Sequence, residues 1–383
     1  MNGRPGVAIC ATLRRACSSR AKLAPTVRHT HLHPVRRFLT LLGALLLFFS
    51  FLCRTPQAAK PVPSQWGFID KAGKYVIGQQ FEWAGQFSEG LAPVQVTDGL
   101  YGFIDKTGKF VIAATFLGSK FGFHEERALI ETAPGKWRFI DHAGKLYGPA
   151  SGFDDGIEFH DRLAAVNVDG KWGYIDQSGA FAIPIGPGQV GANFEDGLAP
   201  FHNDNKWGFI DKRGRPVIPA RFEGAYGFSE GLAAVKRGQK WGYIDKTGKI
   251  VIQPGYAIAA GFYEGIARVA IDWKTGWEYI DKTGRMIAPV LYDEAKDFHQ
   301  GLAQVAVRQG GNLLWGFVGK SGAMAISPHF SYSRPFSEGL ASVNGGFING
   351  AGAFVISARF NDTGDFTEGL APVAGFITRT RRR

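Results

Sequence analysis

Apolar and polar residues alternate in short runs from residue 66 onward. In Trp66–Asp70, Trp, Phe and Asp fall on one face of an extended strand and Gly and Ile on the other. A turn sequence ending at Gly73 follows, and Lys74–Ile77 resumes the extended pattern. A second run is similar, because the acid-glycine pair Glu89-Gly90 suits a turn and Leu91–Val96 suits a strand. The pattern therefore predicts β-hairpins.

Both runs recur along the chain, and the first eight opening aromatics are spaced 34 to 38 residues apart. The opening aromatics are Trp66, Tyr101, Trp137, Trp172, Trp207, Trp241, Trp277 and Trp315, and Phe347 marks a ninth unit. The second run begins at Phe87, Phe123, Phe159, Phe194, Phe228, Phe262, Phe298, Phe336 and Phe366. A unit of this size cannot bury its own apolar face, so neighbouring units must stack. We therefore interpret the opening aromatics as structural residues of a shared core.

The array predicts an all-β chain of nine hairpin repeats, since no stretch shows sustained helical periodicity. Propellers usually have four to eight blades of four strands, whereas these units offer about three strands each. We therefore predict an open, curved, solenoid-like assembly, with a propeller-like closed ring as the alternative. Gly375–Ile377 resembles the opening of a tenth unit, which would complete the ninth unit or close the array onto its beginning.

Segments outside the repeats predict export. Leu39–Leu52 is an apolar run behind two arginines, which is typical of a secretory signal and too short for a comfortable membrane span. We interpret residues 35–59 as a signal peptide or signal anchor and residues 1–34 as a disordered or wrongly included upstream segment. The repeat array then occupies residues 60–378, and residues 379–383 form a basic tail.

The net charge of +11 comes from the two ends of the chain. Residues 1–60 carry ten Lys or Arg and no acidic residue, and the tail adds four arginines. The intervening 61–378 has a net charge of −3, which lacks the basic surface that phosphate-backbone binding needs. Nucleic acid is therefore disfavoured as a partner. All three cysteines precede residue 60, so the array offers neither disulfides nor a thiolate.

No catalytic, metal or cofactor site is predicted. The acid of the second run recurs in most units and is interpreted as a turn residue, and Lys-Thr-Gly at 106–108 is only a hairpin turn without a Ser-x-x-Lys partner. The histidines lack ligand spacing, although His124, His160 and His299 occupy equivalent positions. Two tryptophans lie outside the repeat register, and these are the candidate binding residues Trp83 and Trp273.

The array resembles the bacterial WG-repeat, or KWG-repeat, proteins over roughly residues 66–378. Lys171–Asp176, Lys206–Asp211 and Lys240–Asp245 carry the naming motif of that family nearly letter for letter. The resemblance implies a β-rich repeat protein, often exported, with no activity shared across the family.

We expect a non-catalytic, exported scaffold that binds a protein partner along an extended surface. The alternative is a glycan or cell-wall binding module that uses periodic aromatics for stacking. A more distant third hypothesis is a hydrolase whose residues come from insertions such as residues 185–191. The periplasm, the cell surface and the medium all remain open as locations, as does an N-terminal membrane anchor.

Overall fold

A computed structural model describes residues 65–186, 188, 191–272, 276–287 and 291–375. The predicted leader segments 1–34 and 35–59, the basic tail 379–383 and Trp273 lie outside the described residues. The described residues are all-β and contain no helix, so they include no helical membrane span. The prediction of an all-β repeat chain is confirmed.

Thirty-three short strands follow one another in the described part of the chain. The first eleven are β1 (Trp66–Asp70), β2 (Tyr75–Phe81), β3 (Trp83–Ala84), β4 (Ala92–Gln95), β5 (Tyr101–Ile104), β6 (Phe110–Phe116), β7 (Gly118–Ser119), β8 (Ala128–Ala133), β9 (Lys136–Ile140), β10 (Leu146–Tyr147) and β11 (Asp155–Gly156). The next eleven are β12 (Leu163–Val168), β13 (Lys171–Asp176), β14 (Phe181–Ile183), β15 (Leu198–Asn203), β16 (Lys206–Asp211), β17 (Pro216–Phe222), β18 (Gly224–Ser229), β19 (Leu232–Arg237), β20 (Lys240–Asp245), β21 (Ile250–Tyr256) and β22 (Ile258–Tyr263). The last eleven are β23 (Ile266–Ala270), β24 (Glu278–Asp281), β25 (Glu294–His299), β26 (Leu302–Gln309), β27 (Asn312–Gly319), β28 (Met324–Phe330), β29 (Ala341–Val343), β30 (Gly346–Ile348), β31 (Phe354–Ile356), β32 (Asp362–Thr363) and β33 (Leu370–Ala374).

The strands form nine antiparallel sheets, which we call blades. Blades 1 to 8 are consecutive meanders, namely β3–β6, β7–β10, β11–β14, β15–β17, β18–β21, β22–β24, β25–β28 and β29–β31. Blade 9 has the order β2-β1-β33-β32 and so combines the two ends of the array. In the described residues six blades have four strands and three have three. Each four-stranded blade takes two strands from one sequence unit and two from the next, and each three-stranded blade likewise combines strands of two consecutive units.

Pairing between β1 and β33 closes the array into a nine-bladed propeller. Trp66 pairs with Ala374 and Asp70 with Leu370 in an unbroken antiparallel register. The open solenoid-like assembly that the strand count favoured is therefore wrong, and the closed-ring alternative is correct. The closing strand is Leu370–Ala374, while Phe376 and Ile377 of the suspected tenth unit lie outside the described residues.

Aromatic pairs fill all nine interfaces between neighbouring blades. The second aromatic of each opening run packs against the landmark Phe of the next blade, with ring centroids 4.8 to 5.1 Å apart. Phe68 and Phe87 form this pair where blade 9 meets blade 1. Every landmark Phe is at most 4% exposed. These pairs supply the shared core that a 35-residue unit cannot build alone.

A carboxylate or amide clamp also joins every pair of neighbouring blades. The clamp residue stands two positions after each landmark Phe, and it adopts a left-handed conformation at the turn. Its side-chain oxygen accepts a hydrogen bond from a backbone N–H of the next blade. At the closing interface the Glu368 carboxylate accepts from Gly90 N at 3.1 Å, and Lys106 Nζ lies 2.9 Å from it. The nine acceptors are Glu89, Glu125, Asp161, Asp196, Glu230, Glu264, Gln300, Glu338 and Glu368. The repeated acid therefore serves the ring.

By residue type, Glu126-Arg127 would replace the acid-glycine pair in the second unit. The structure places this turn one residue earlier. In the structure Glu125 is the clamp carboxylate, and Glu126 stands at the glycine position with a φ of 67°. Two adjacent glutamates hid the register, because either one satisfies a pattern based on residue type.

Candidate binding channel

The stretches just before each landmark Phe, which we call the inner segments, surround a channel. A cavity of about 630 Å³ is bordered by Gln86, Gly122, Glu158, Arg334 and Asp362, which belong to blades 1, 2, 3, 8 and 9. Only the centre of the ring can be shared by five blades. Two more cavities, of about 460 and 470 Å³, border the inner segments of blades 4 to 7 and of blades 7 and 8. Together they follow the channel wall around the ring.

Aromatic side chains are exposed on this wall. Five of them are 37 to 52% exposed and border the three cavities. They are Trp83, Phe121, Tyr226, Tyr263 and Tyr332. Tyr226 is the most exposed, and one face of its ring stacks on Trp241 with the ring centroids 4.7 Å apart. Rigid aromatic surfaces of this kind are suited to contacts with a ligand.

Ion pairs between inner segments and neighbouring strands add polar chemistry to the wall. Arg334 makes a two-pronged contact with Asp365, with distances of 2.7 Å from Nε to Oδ1 and 3.1 Å from Nη2 to Oδ2. This hydrogen bonding raises the pKa of Arg334 despite its burial. Arg268 Nε lies 2.8 Å from Asp297 Oδ1, and its guanidinium covers the Trp277 ring at 5.0 Å. The channel therefore contains fixed charges beside aromatic faces.

Two histidines meet on the wall where blades 2 and 3 adjoin. The His124 and His160 rings are stacked with centroids 4.5 Å apart. His160 Nε2 lies 3.2 Å from Glu158 Oε1, and this hydrogen bond raises the pKa of His160 and lowers that of Glu158. His299, at the equivalent position in blade 7, faces Tyr263 instead. The equivalent sequence positions thus bring together only the adjacent pair.

The family model described as "WG containing repeat" matches eight segments of this chain. The matched residues are 66–101, 101–117, 172–207, 207–241, 241–272, 279–311, 315–344 and 346–374. The chain belongs to the WG-repeat family. Residues 118–171 lie between matched segments, yet they form all four strands of blade 2 and the first two strands of blade 3.

Three solved structures show loose likeness to this WG-repeat chain. The computationally designed Ika8 protein has a TM-score of 0.44 at 11% identity, over 71% of this chain and 94% of that one. BamB from Moraxella catarrhalis has a TM-score of 0.36 at 12% identity, over 67% and 89%. PorZ, a surface component of the type-IX secretion system of Porphyromonas gingivalis, has a TM-score of 0.29 at 12% identity, over 71% and 45%. No curated protein matches the sequence significantly. These scores are too low to carry an argument about function.

Three of the WG aromatics, Trp66, Trp277 and Trp315, border the channel cavities. Each of the eight opening aromatics is half-buried, and seven of them pack against the edge of a hydrophobic cluster. The glycine after the tryptophan permits a close approach of the outer strand. At Gly242 an added Cβ would lie 2.5 Å from the carbonyl oxygen of Ile252. In the motif, therefore, the tryptophan packs against a hydrophobic cluster and the glycine permits close contact between two backbones.

Of the two predicted binding residues, only Trp83 is among the described residues. It opens β3, is 37% exposed and lies with its ring centroid 6.0 Å from that of Tyr101. Sequence reasoning missed Phe121, Tyr226, Tyr263 and Tyr332. The available signal was position, because every one lies within four residues of a landmark Phe and outside the repeated letters.

The described residues contain no group of three or more His, Cys, Asp and Glu side chains arranged to hold a metal ion. Within the 185–191 insertion, residues 187, 189 and 190 lie outside the described set.

Proposed function

We propose that this WG-repeat propeller is a non-catalytic, exported scaffold that holds a segment of a protein partner in its channel. The observation that carries the proposal is where the units differ. The landmark Phe, the clamp and the WG motif recur because every interface needs them. The two residues before the landmark Phe vary as a pair from unit to unit, as Ile157-Glu158, Tyr226-Gly227 and Lys296-Asp297 illustrate, although the second of them is Gly or Asp in five of the nine units. Differences concentrated on one concave wall are typical of a surface selected for recognition.

The repeated acids are already bound to backbone N–H groups and lysines of neighbouring blades, which supports a non-catalytic role. Glu264 accepts the N–H of Gly301 at 2.9 Å and also pairs with Lys320 at 2.9 Å. A general acid or base needs a free carboxyl with a pKa near the working pH, whereas the Lys320 contact lowers the pKa of Glu264. Export and an N-terminal signal or anchor remain part of the proposal on the strength of the apolar run at 39–52.

A glycan ligand is the second candidate, and the exposed Trp83 favours it. Its ring borders the same cavity as Gln86, whose amide donates to Asp365 at 2.9 Å. Aromatic faces beside fixed amides and carboxylates also suit sugars. The two candidates predict different partners for the same wall.

Site-specific photocrosslinking separates them. A benzophenone side chain at Tyr226, which is 52% exposed in the channel, is compared with one at Val111, which is 50% exposed on the outer strand β6. After irradiation of the full-length protein in an envelope extract, we expect a discrete crosslinked polypeptide from position 226 only. Equal labelling from both positions would contradict a channel site. Retention on purified peptidoglycan with a change in tryptophan fluorescence, but no polypeptide adduct, would favour the glycan candidate.

A further inference from the structure

The Glu195 carboxylate on the channel wall occupies a position at which three other blades have a hydrogen-bond donor. In three blades the residue after the landmark Phe is a serine whose hydroxyl donates to the landmark Phe carbonyl of the next blade. These serines are Ser88, Ser229 and Ser337. Blade 4 has Glu195 at this position, and an ionised carboxylate cannot donate a hydrogen bond. At the junction of blades 4 and 5 the Glu195 carboxylate and the Phe228 carbonyl are both acceptors, so the hydrogen bond that the serine makes in the other blades cannot form.

Glu195 has no donor of its own among the described residues. It is half-buried, and burial raises the pKa of its carboxyl, although nearby His160 opposes that effect. Its Oε2 lies close to the backbone of Gly227, since a Cβ added there would be 3.2 Å away. A partly desolvated carboxylate without a donor is unfavourable unless a positively charged group approaches it.

Two tyrosines extend the site from Glu195 into a cavity of about 460 Å³. Tyr226, next to Gly227, and Tyr263, which directly follows the landmark Phe262, both border this cavity and are 52% and 42% exposed. Tyr263 is close enough for the Glu195 charge to contribute to the raised pKa of its phenol, after burial and Asp297. A carboxylate between aromatic faces attracts ammonium and guanidinium groups.

The same cavity already contains an internal example of this chemistry. At its far side the Arg268 guanidinium covers Trp277 and is held by Asp297 at 2.8 Å. The Glu195 side has the corresponding carboxylate and aromatic rings, but among the described residues no Lys or Arg side chain forms an ion pair with Glu195.

We propose that Glu195, Tyr226 and Tyr263 form a receptor for a lysine or arginine side chain of the polypeptide in the channel. This proposal rests on the proposed scaffold function and specifies the chemistry of its ligand. The cation would donate to Glu195 and to the Phe228 carbonyl, which the serine hydroxyl serves in other blades. The tyrosine faces would enclose its methylene or guanidinium surface.

Binding of fluorescein-labelled hexalysine to the full-length protein, measured by fluorescence anisotropy at low salt, tests this receptor. We expect Glu195→Gln and Tyr226→Ala each to weaken binding by about tenfold or more. Glu82→Gln removes the same charge from an exposed position that borders none of the three cavities and is expected to stay within about twofold of the unaltered protein. Equal affinity of all four proteins, or no binding to any of them, would overturn the proposal.

Glu195→Ser separates recognition from folding. It restores the serine found in blades 1, 5 and 8, so we expect a thermal midpoint at or above that of the unaltered protein together with loss of hexalysine binding. Hexalysine binding retained by this variant would refute the receptor. If Glu195 proves irrelevant while the Tyr226 crosslink persists, only the cation receptor fails. If the crosslink is absent as well, the scaffold proposal fails with it.

Discussion

Replacing Glu368 by alanine tests whether the ring is closed. The Glu368 carboxylate accepts Gly90 N at 3.1 and 3.2 Å and lies 2.9 Å from Lys106 Nζ, across the junction of blades 9 and 1. A hydrogen bond to a charged group contributes about 1.5 to 3 kcal/mol. The exposed ion pair adds less than about 1 kcal/mol because the Glu368 side chain is 29% exposed. We therefore expect Glu368→Ala to cost about 2 to 3 kcal/mol in the free energy of unfolding.

Glu264→Ala is the matched control at an interior junction. Glu264 makes the same two contacts at 2.9 Å each and is 31% exposed. Urea unfolding followed by tryptophan fluorescence should show similar losses for both variants, because a closed ring makes the two junctions equivalent. In an open array Glu368 and Gly90 would lie at separate ends, so the Glu368 clamp would not form and its removal would leave the stability unchanged. A normal urea midpoint for Glu368→Ala beside a lowered midpoint for Glu264→Ala would refute ring closure.

The same clamps predict acid sensitivity. The hydrogen bond from Lys320 holds the pKa of Glu264 below its ordinary value. A carboxyl whose pKa is lower in the folded state stabilises the fold above the unfolded pKa, near 4.3, and this contribution is lost as pH falls through the folded pKa. The urea midpoint should therefore fall as the pH drops below about 4.3. Glu264→Gln, which imitates the natural Gln300 clamp, should reduce that slope, and an unchanged slope would contradict the assignment.

Four further variants test a close approach of two strands, a hydrogen bond between blades and an ion pair on the channel wall. Gly242→Ala would place a Cβ 2.5 Å from a carbonyl oxygen of the outer strand and should lower the free energy of unfolding by about 1 to 3 kcal/mol, measured by urea unfolding. Gly78→Ala, where nothing lies within 4 Å, should be nearly neutral, and equal losses would contradict the close-approach explanation. Tyr243→Phe removes an O–H that donates at 2.8 Å to a carbonyl of the next blade, so it should cost about 1 kcal/mol in urea unfolding. Glu158→Gln should lower the pKa of His160 in an NMR titration, and an unmoved pKa would exclude their hydrogen bond.

The sequence predicted the local structure because the repeat itself specifies it. The alternation in Trp66–Asp70 and the turn at Gly73 recur nine times with little change, and each recurrence strengthens the assignment of strands and hairpins. Ring closure was not predictable in this way. Leu370–Ala374 pairs with β1 across about 300 residues, and nothing in either strand distinguishes that partner from the equivalent strand of any other unit.

The channel was missed for a related reason. Its wall is built from inner strands as short as the two residues Trp83–Ala84, which are too brief to show a period of two. Tyr226 looked like an ordinary strand residue, since its exposure depends on the ring geometry that places blade 5 beside blades 4 and 6. Trp83 was found only because tryptophan is rare and stood outside the repeat register.

The residue directly after the landmark Phe either stabilises the interface between two blades or contributes to the channel wall. With Ser88 the hydroxyl donates to the next blade at 2.5 Å and the interface gains a hydrogen bond. With Glu195 that bond is lost and a partly buried charge faces the channel. The ring tolerates the absence of this bond, because the junction between blades 4 and 5 keeps its aromatic pair and its clamp, as the other eight junctions do. Repetition thus permits single blades to depart from the pattern toward ligand binding, and for this reason we expect the specificity of the channel to lie in the departures.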